Sequence, residues 1–289
     1  MRQPSLAALI AFLPAAVLSS FQGPPRPSSF DAGYPDSRTI DRTNEYANVG
    51  ALITMAESND AGVPEGNLAW CTGTLIRDRV MLTAGHCVCA GLPTPPPFVR
   101  IFASFASDAR NPATWLTVAS IAGHPSLPPC QPPYYSNAWG APPIRNLHDV
   151  GLVFLAEPVR GIKPARLARP SSLDRQSTGR ASMFIVGYGL LRPIPVQRRW
   201  AEWEGLRLVR SKRLVQVIDE AWATWALPGE VCNGDSGGPI LLGDGVDRTV
   251  VATVSYVGSC RGASIHTRVD SQEVQTWIED TIRNNANKG

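Results

Sequence analysis

The chain has 289 residues, of which 44% are hydrophobic and 18% charged, so it can bury one large core or two smaller ones. Its formal net charge is only +3, and no long basic run with interleaved aromatic residues occurs, which excludes the usual electrostatic footprint of a nucleic-acid-binding protein. Glycine (25 residues) and proline (26 residues) are both frequent, which favours short strands joined by many turns over long helices.

The first 40 positions are predicted to contain a targeting segment followed by a linker. Arg2 supplies a positive charge, and positions 6–18 form an apolar run interrupted only by Pro14, which is typical of a signal peptide. Because this run is short for a bilayer span, we predict that residues 1–20 are removed on export, with a retained membrane anchor as the alternative. Residues 21–40 are rich in Pro, Ser and Gly and are predicted to be a disordered linker or propeptide.

Short runs of apolar and β-branched residues, bounded by turn residues, continue through positions 41–289. Six runs lie in the first half, at 49–56, 70–77, 80–83, 99–104, 115–122 and 150–155. Six more lie in the second half, at 182–186, 206–209, 213–218, 239–242, 249–256 and 263–268. The stretch 92–143 is interrupted by several proline pairs and is expected to form surface loops. This division predicts an all-β chain with two subdomains, about 41–160 and 161–289.

The C-terminal tail has a different periodicity from the strands. Four apolar residues recur at helical spacing, namely Val274, Trp277, Ile278 and Ile282. Asp270, followed three residues later by Glu273, resembles a capping box at the start of a helix. We therefore predict a terminal amphipathic α-helix that packs on the second subdomain.

A histidine, an aspartate and a serine, each beside strand-like sequence, occur in an order that suits nucleophilic catalysis. A serine hydroxyl is a poor nucleophile at neutral pH, and an imidazole, whose pKa lies near neutrality, can remove its proton. A buried carboxylate then holds the imidazole in the right tautomer and stabilises its positive charge. We assign these roles to Ser236 as nucleophile, His86 as base and Asp149 as acid.

Ser236 stands in the run Gly-Asp-Ser-Gly-Gly-Pro at positions 234–239, where glycine permits backbone angles and close approaches that a Cβ would obstruct. The negative oxygen of a tetrahedral intermediate needs backbone N–H donors aimed at it. We expect Gly234 and Ser236 to supply this oxyanion hole. Taken alone, the run also matches the Gly-x-Ser-x-Gly elbow of an esterase, but that fold needs its acid and then its histidine after the serine. Only His266 follows, with too little chain for such a fold.

Three motifs together resemble those of the trypsin-like (chymotrypsin-fold) serine protease family. They are Leu-Thr-Ala-Gly-His-Cys at 82–87, Asp-Val-Gly-Leu at 149–152 and Cys-Asn-Gly-Asp-Ser-Gly-Gly-Pro at 232–239. The resemblance extends from about Asn48 to the C-terminal helix, and its detail is closer to secreted microbial members than to digestive trypsin.

The resemblance implies two six-stranded antiparallel β-barrels packed with the active site in the cleft between them, followed by a C-terminal α-helix. The implied activity is that of a secreted serine endopeptidase, which hydrolyses proteins or peptides through an acyl-enzyme. We also expect a monomer, with no nucleic acid and, after signal removal, no membrane among its partners. A binding protein with the same fold but no turnover is the alternative, although the presence of all three triad residues weighs against it.

Six cysteines in an exported chain favour disulfides and allow 15 pairings. The resemblance implies two of them. Cys71 pairs with Cys87, beside the expected base, and Cys232 pairs with Cys260, which ties the serine loop to the wall of the substrate pocket. The remaining pair is then Cys89 with Cys130.

No metal or cofactor is predicted. None of the four histidines forms a pair at the i, i+4 spacing of a helical zinc site, and Cys87 and Cys89 lack a second matching cluster. His124 and His266 are interpreted as structural or solvated, and His148 as a simple neighbour of the acid.

The resemblance also locates the pocket for the residue that precedes the cleaved bond. Glu230, six positions before the nucleophile, would lie at the base, where a carboxylate can pair with Arg or Lys. Val257 stands where wide pockets have glycine and narrows the entrance, while Ser264 forms the other wall. We predict a basic or small residue at this substrate position.

Two further residues of the same strand are expected to serve the site. Ser255 is expected to hydrogen-bond Asp149. Tyr256 offers an aromatic face beside a strand edge that would pair with the substrate backbone by strand addition.

Activation departs from the family pattern. Zymogens of this family are cut before Ile or Val followed by Val-Gly-Gly, and the new ammonium pairs with the aspartate before the nucleophile, here Asp235. No such sequence occurs, and the nearest basic site is the Arg-Thr-Ile-Asp run at 38–41. Cleavage near Arg38 is therefore the hypothesis for activation.

Overall fold

The computed structural model describes residues 39–56, 66–88, 99–127, 148–176, 182–190, 205–217, 222–226, 231–243, 248–257 and 264–287. The expected signal peptide and nearly all of the linker lie outside these ranges. None of the helices within them is long and apolar enough to cross a membrane.

The first barrel is built from six strands: β2 (Val49–Ala56), β3 (Gly66–Arg77), β4 (Val80–Thr83), β5 (Val99–Ser104), β6 (Leu116–Gly123) and β7 (Gly151–Leu155). They pair antiparallel and close in the order β2-β3-β4-β7-β6-β5. Every residue of β4 and β7 is buried, whereas β6 alternates between half-buried and exposed positions. The six predicted runs of the first half are confirmed, with β3 beginning earlier than expected.

The second barrel also has six strands: β9 (Ser182–Gly187), β10 (Leu208–Val217), β11 (Trp222–Ala226), β12 (Pro239–Leu242), β13 (Thr249–Val257) and β14 (Ser264–Arg268). Their antiparallel pairings run β10-β11-β14-β13-β12-β9, and β9 pairs again with β10, which completes the ring. Two short strands are added to it, β1 (Thr39–Ile40) beside β10 and β8 (Arg166–Leu167) parallel to β13.

Two of the predicted strands of the second half were wrong. The runs 206–209 and 213–218 are one strand, β10, because the polar residues between them continue the ladder with β9 instead of forming a turn. The expectation also missed β11, whose residues pair with both β10 and β14. Six strands were predicted and six are present, but they are not the same six segments.

The C-terminal helix, α2 (Gln272–Ala286), is confirmed, but its packing and its cap differ from the prediction. It was expected to pack on the second subdomain, whereas Glu279 pairs with Arg77, Trp277 lies against His124 and Asn285 donates to Ser120, all in the first half of the chain. Ser271 is the N-cap, and its side chain accepts a hydrogen bond from the Val274 N–H at 3.2 Å. The Asp270 carboxylate instead binds Arg268 and the N–H of Leu173. Sequence spacing alone did not distinguish the two adjacent cap candidates.

A buried polar network joins the barrels close to the cleft. The fully buried Arg207 donates to Asp41 Oδ2 at 2.9 Å and to the Tyr188 hydroxyl at 2.9 Å. Tyr188 in turn donates to the carbonyl of Ala106, in the first half of the chain, at 2.6 Å. Burial raises the pKa of Tyr188 to about 12, against the opposing effect of Arg207, so its hydroxyl stays a neutral donor. Arg207 thereby links Asp41, just after β1, to Tyr188, just after β9.

Candidate active site

His86 lies on a single helical turn, α1 (Gly85–Val88), that directly follows β4. The turn is held to β3 by the disulfide between Cys71 and Cys87, which confirms that predicted pair. Glycine at position 85 lets this turn lie close to its neighbours, because a Cβ there would lie 2.2 Å from the Leu127 side chain and 3.0 Å from the backbone of Val150. The imidazole is therefore carried by a short, crosslinked segment at the rim of the first barrel.

Asp149, just before β7, holds His86 with both carboxylate oxygens. Oδ1 accepts the His86 backbone N–H at 2.7 Å, and Oδ2 lies 2.8 Å from His86 Nδ1. The Asp149 side chain is 3% exposed and that of His86 15% exposed. When Nδ1 carries the proton donated to Asp149, Nε2 of the neutral ring is left as an acceptor.

Ser255, from β13 of the second barrel, donates its hydroxyl to Asp149 Oδ2, as expected from the sequence. Burial by itself raises the pKa of the Asp149 carboxyl, but the charge and ring hydrogen bond of His86, the Ser255 hydroxyl and the His86 N–H together hold that pKa below its usual value. Asp149 is therefore an ionised, fully bonded carboxylate at neutral pH.

The serine loop, residues 231–238, bends through two glycines with positive φ angles, Gly234 (98°) and Gly237 (80°). A Cβ on Gly237 would lie 2.0 Å from Thr83 Oγ1 and 2.4 Å from the Thr72 carbonyl. The loop thus lies directly against the first barrel at a point where only glycine fits.

Ser236 is half-buried and lies close to the turn that carries His86. Its carbonyl oxygen accepts the N–H of Thr72, the residue after Cys71, at 2.8 Å, and is 3.6 Å from Cys87 Sγ. Since Cys87 follows His86 directly, the fold brings the backbone of Ser236 next to the turn that carries His86, 150 positions away in sequence.

The N–H groups expected to form the oxyanion hole make no backbone hydrogen bonds in the described part of the chain. The N–H groups of Asp235, Gly237 and Gly238 each donate to a carbonyl, whereas those of Gly234 and Ser236 donate to no backbone acceptor among the described residues. Two backbone donors beside the nucleophile are what stabilisation of a tetrahedral oxyanion requires.

Asp235 is fully buried behind the serine. Its carboxylate accepts the N–H of Gly189 at 2.8 Å and that of Cys232 at 2.9 Å. Both carboxylate oxygens are thus bonded to backbone N–H groups, at the position where the family pattern places a new ammonium group.

The hypothesis of cleavage near Arg38 meets a geometric difficulty. Thr39 pairs with Val209 of β10, and Val209 pairs in turn with Val186 of β9. Strands lie about 4.8 Å apart, so β1 is about 10 Å from β9, at whose end Asp235 lies. An ammonium at Thr39 in this position would be separated from Asp235 by β10.

The pocket residues are only partly described. Tyr256 and Val257 lie on β13 and pair with Ile265 and Ser264 of β14, while Glu230 lies outside the described residues. The hydroxyl of Ser264 is buried and lies 2.6 Å from Nε2 of the buried His266. His266 is thus a structural partner of the wall position, a link that sequence spacing on alternate strand positions could have suggested.

Cys232 is disulfide-bonded, while its expected partner Cys260 and the pair Cys89 and Cys130 lie outside the described residues. Ligand atoms of Cys71, His86 and Cys87 lie within 4.8 Å of one another. Both sulfurs belong to the disulfide, so neither is available as a thiolate ligand.

A barrel bearing the His86–Asp149 pair, packed against a second one that carries a serine loop, defines the chymotrypsin-like class of fold. A sequence model of the Trypsin family matches positions 56–278. The chain therefore belongs to the trypsin-like serine protease family.

The relatives are distant, and they are animal proteins. The chain is 36% identical to the cercarial protease of Schistosoma mansoni over 124 residues, which is 41% of this chain and 43% of that protein. It is 24% identical to trypsin of Sarcophaga bullata over 250 residues, which is 81% of this chain and 89% of that protein. The expected closeness to secreted microbial members is not supported.

The fold is shared with solved structures. A mutant of human heparin binding protein superposes with a TM-score of 0.60 at 17% identity, covering 86% of this chain and 97% of that one. At this identity the likeness shows the fold alone.

Proposed function

We propose that the protein is a secreted serine endopeptidase with Ser236 as nucleophile, His86 as general base and Asp149 as orienting acid. The observation that carries this proposal is the pair of hydrogen bonds from Asp149 to His86, close to a serine loop whose Gly234 and Ser236 N–H groups donate to no backbone acceptor among the described residues. An ion pair built only for stability would need no such donors beside a serine.

The reaction follows from these roles. Ser236 Oγ attacks the substrate carbonyl as its proton passes to Nε2 of His86, and the N–H groups of Gly234 and Ser236 bind the oxygen that becomes negative. His86 then gives the proton to the departing amine, which leaves an acyl group on Ser236. Water, deprotonated by His86, attacks this ester, and the returned proton frees the serine and the product acid. Asp149, ionised by virtue of its lowered pKa, stabilises the imidazolium in both halves.

Substrate recognition is proposed to use the β13 edge and the pocket beside it. A peptide would add as a strand along Ser255, Tyr256 and Val257, and its side chain before the cleaved bond would enter the pocket between Val257 and Ser264. Glu230 at the base favours a basic residue and Val257 a small one. Cleavage of a peptide library would show which preference prevails.

Labelling with a biotinylated fluorophosphonate tests the proposal, because an activated serine displaces fluoride from the reagent and is phosphonylated, whereas an ordinary serine is not. We expect one label per folded chain, mapped to Ser236, and none on Ser236→Ala or on heat-unfolded protein. Ser120→Ala, a change to a half-buried serine on β6, is the matched control and should label like the wild type. A folded wild-type protein that never labels would instead be a protease-fold binding protein.

A further inference from the structure

Thr72, on β3 of the first barrel, contacts the serine loop of the second barrel on both sides of the nucleophile. Its hydroxyl donates to the Gly234 carbonyl at 2.7 Å, and its N–H donates to the Ser236 carbonyl at 2.8 Å. The same hydroxyl accepts the N–H of Tyr188 at 3.0 Å. The side chain is fully buried, so water does not compete for these bonds.

These contacts fix two peptide planes of the loop. The plane between residues 234 and 235 is held at its oxygen by the Thr72 hydroxyl and at its nitrogen by the Cys232 carbonyl, at 3.0 Å. The plane between residues 236 and 237 is held at its oxygen by the Thr72 N–H and at its nitrogen by the Val254 carbonyl, at 2.7 Å. Because peptide units are rigid planes, holding both ends of a unit fixes its orientation.

The two fixed planes flank the peptide unit that carries the Ser236 N–H, and one of them follows the unit that carries the Gly234 N–H. Gly234 itself has a φ of 98°, a conformation that glycine can leave at little cost. The unit that carries the Gly234 N–H is held at its own oxygen, the Asn233 carbonyl, by the Leu190 N–H at 2.9 Å, so the Thr72 hydroxyl fixes the unit on the other side of Gly234. Without that second anchor the 234–235 unit could turn about Gly234, and the Ser236 N–H in the next unit would move with it.

We propose that Thr72 is a positioning residue for the oxyanion hole: its hydroxyl, held by Tyr188, fixes the Gly234 carbonyl and thereby, together with the Leu190 anchor on the preceding unit, sets the relative orientation of the Gly234 and Ser236 N–H groups. The inference rests on the proposed function. It assigns Thr72 no contact with substrate, so its effect falls on the transition state and not on substrate binding.

Thr74 supplies a matched control. It lies two positions along β3, is as buried as Thr72, and its hydroxyl has no hydrogen-bond partner among the described residues. Replacing either threonine by valine removes a buried hydroxyl from the same strand with almost no change in shape. Only the Thr72 change removes a bond to the serine loop.

The experiment measures kcat and KM on a peptide chosen from the library, together with the fluorophosphonate labelling rate and the melting temperature. For Thr72→Val we expect kcat and the labelling rate to fall about 30-fold, somewhat less than loss of an oxyanion donor itself, with KM unchanged within about threefold. Thr72→Ser should recover most of the activity, and Thr74→Val should behave like the wild type. Thr72→Ala carries the same expectation if the valine variant does not fold.

A folded Thr72→Val or Thr72→Ala protein with wild-type kcat would overturn the inference, as would an equal loss in Thr72→Ser or in Thr74→Val. A rise in KM at constant kcat would also overturn it, since that would mean a role in substrate binding. If the wild type itself does not react with the fluorophosphonate, the proposed function fails and not merely the role of Thr72.

Discussion

The two halves of the candidate active site are held by different kinds of interaction. His86 is oriented by an ionised side chain, Asp149, whose oxygens also receive the Ser255 hydroxyl. The serine loop is held mainly through its backbone, by the carbonyls and N–H groups of residues 232–238 and by the two contacts of Thr72. One half is electrostatic and titratable, and the other is geometric.

This difference matches the task that the proposed reaction gives to each half. The imidazole has to gain and lose a proton during turnover, so it needs a charge beside it that stabilises the cation. The oxyanion donors have only to be in place before the charge develops, and rigid peptide units achieve this without any titrating group. Substitutions that change charge should therefore have their main effect at the imidazole half, and substitutions that change backbone conformation should have theirs at the serine half.

The largest effect is expected from Asp149→Asn, which leaves the volume of the site unchanged. The amide cannot stabilise the imidazolium and favours the wrong tautomer of His86, so kcat should fall about 10⁴-fold. Steady-state kinetics on the library peptide measure the loss. Asp280→Asn, on the exposed face of α2, is the control and should leave kcat unchanged. A loss below tenfold would mean that the imidazole half does not depend on its charge.

Gly237→Ala tests the geometric half. Alanine at φ 80° costs about 1–2 kcal/mol, and the clash with Thr83 and Thr72 adds about as much, so the free energy of unfolding should fall by about 3 kcal/mol. Gly161→Ala measures the cost of the positive φ alone, because Gly161 has a φ of 78° and nothing lies within 4 Å of an added Cβ. Denaturant unfolding of both variants gives the difference. Equal losses would show that the contact with the first barrel is not tight.

Acid should weaken the fold first through a group near the imidazole half. His124 lies against His148 and Trp277, with Ser126 at its Nδ1 and Glu273 nearby. Burial, with the charge of His148, lowers the pKa of His124 from 6.5 to about 4 against the opposing effect of Glu273.

The unfolded chain therefore binds a proton below pH 6.5 that folded His124 does not bind until about pH 4, so stability falls as the pH drops through this window. The free energy of unfolding should decrease by about 2 kcal/mol between pH 7 and pH 4.5, and the decrease should be absent from His124→Asn. Denaturant titrations at several pH values measure the slope. The lowered pKa of Asp149 adds its own loss only at lower pH, below its ordinary value of 3.8. Parallel slopes in the two proteins would rule out His124 as the responsible group.

The smallest effect is expected from Arg38→Gln, which should leave the labelling rate unchanged. β10 separates Thr39 from the end of β9, and Asp235 already receives two backbone N–H groups. The variant should label with fluorophosphonate at the wild-type rate without cleavage at position 38, as checked by N-terminal sequencing. An inactive variant that gains activity on cutting at this position would show that the serine half needs a new N-terminus after all.

The expectations drawn from sequence were most accurate where structure depends on near neighbours. The strands of the first barrel are short apolar runs bounded by turns, and all six formed as predicted. In the second barrel the polar residues 210–212 hid the continuity of β10, because their backbone continues the ladder with β9 whatever their side chains are. The shift of the helix cap from Asp270 to Ser271 has a similar origin, since Arg268 and Leu173 occupy the aspartate.

For the site, sequence identified His86, Asp149 and Ser236 as candidates, because the chemistry of a triad restricts residue types and the motifs around them are long. It did not identify Thr72, whose bond to Gly234 spans 162 positions, or the backbone partners of Asp235. Nothing in a Thr between a cysteine and a glycine marks it as the contact between two barrels.

The amino-acid sequence by itself determined the six strands of the first barrel, which residue types could do the chemistry, and where glycine is needed at a bend. Only the tertiary structure decided which distant groups meet: Ser255 with Asp149 and Thr72 with the serine loop. The physical reason is that an apolar period reports that a face is buried, whereas the partner across that face depends on how two closed barrels are rotated against each other when they pack.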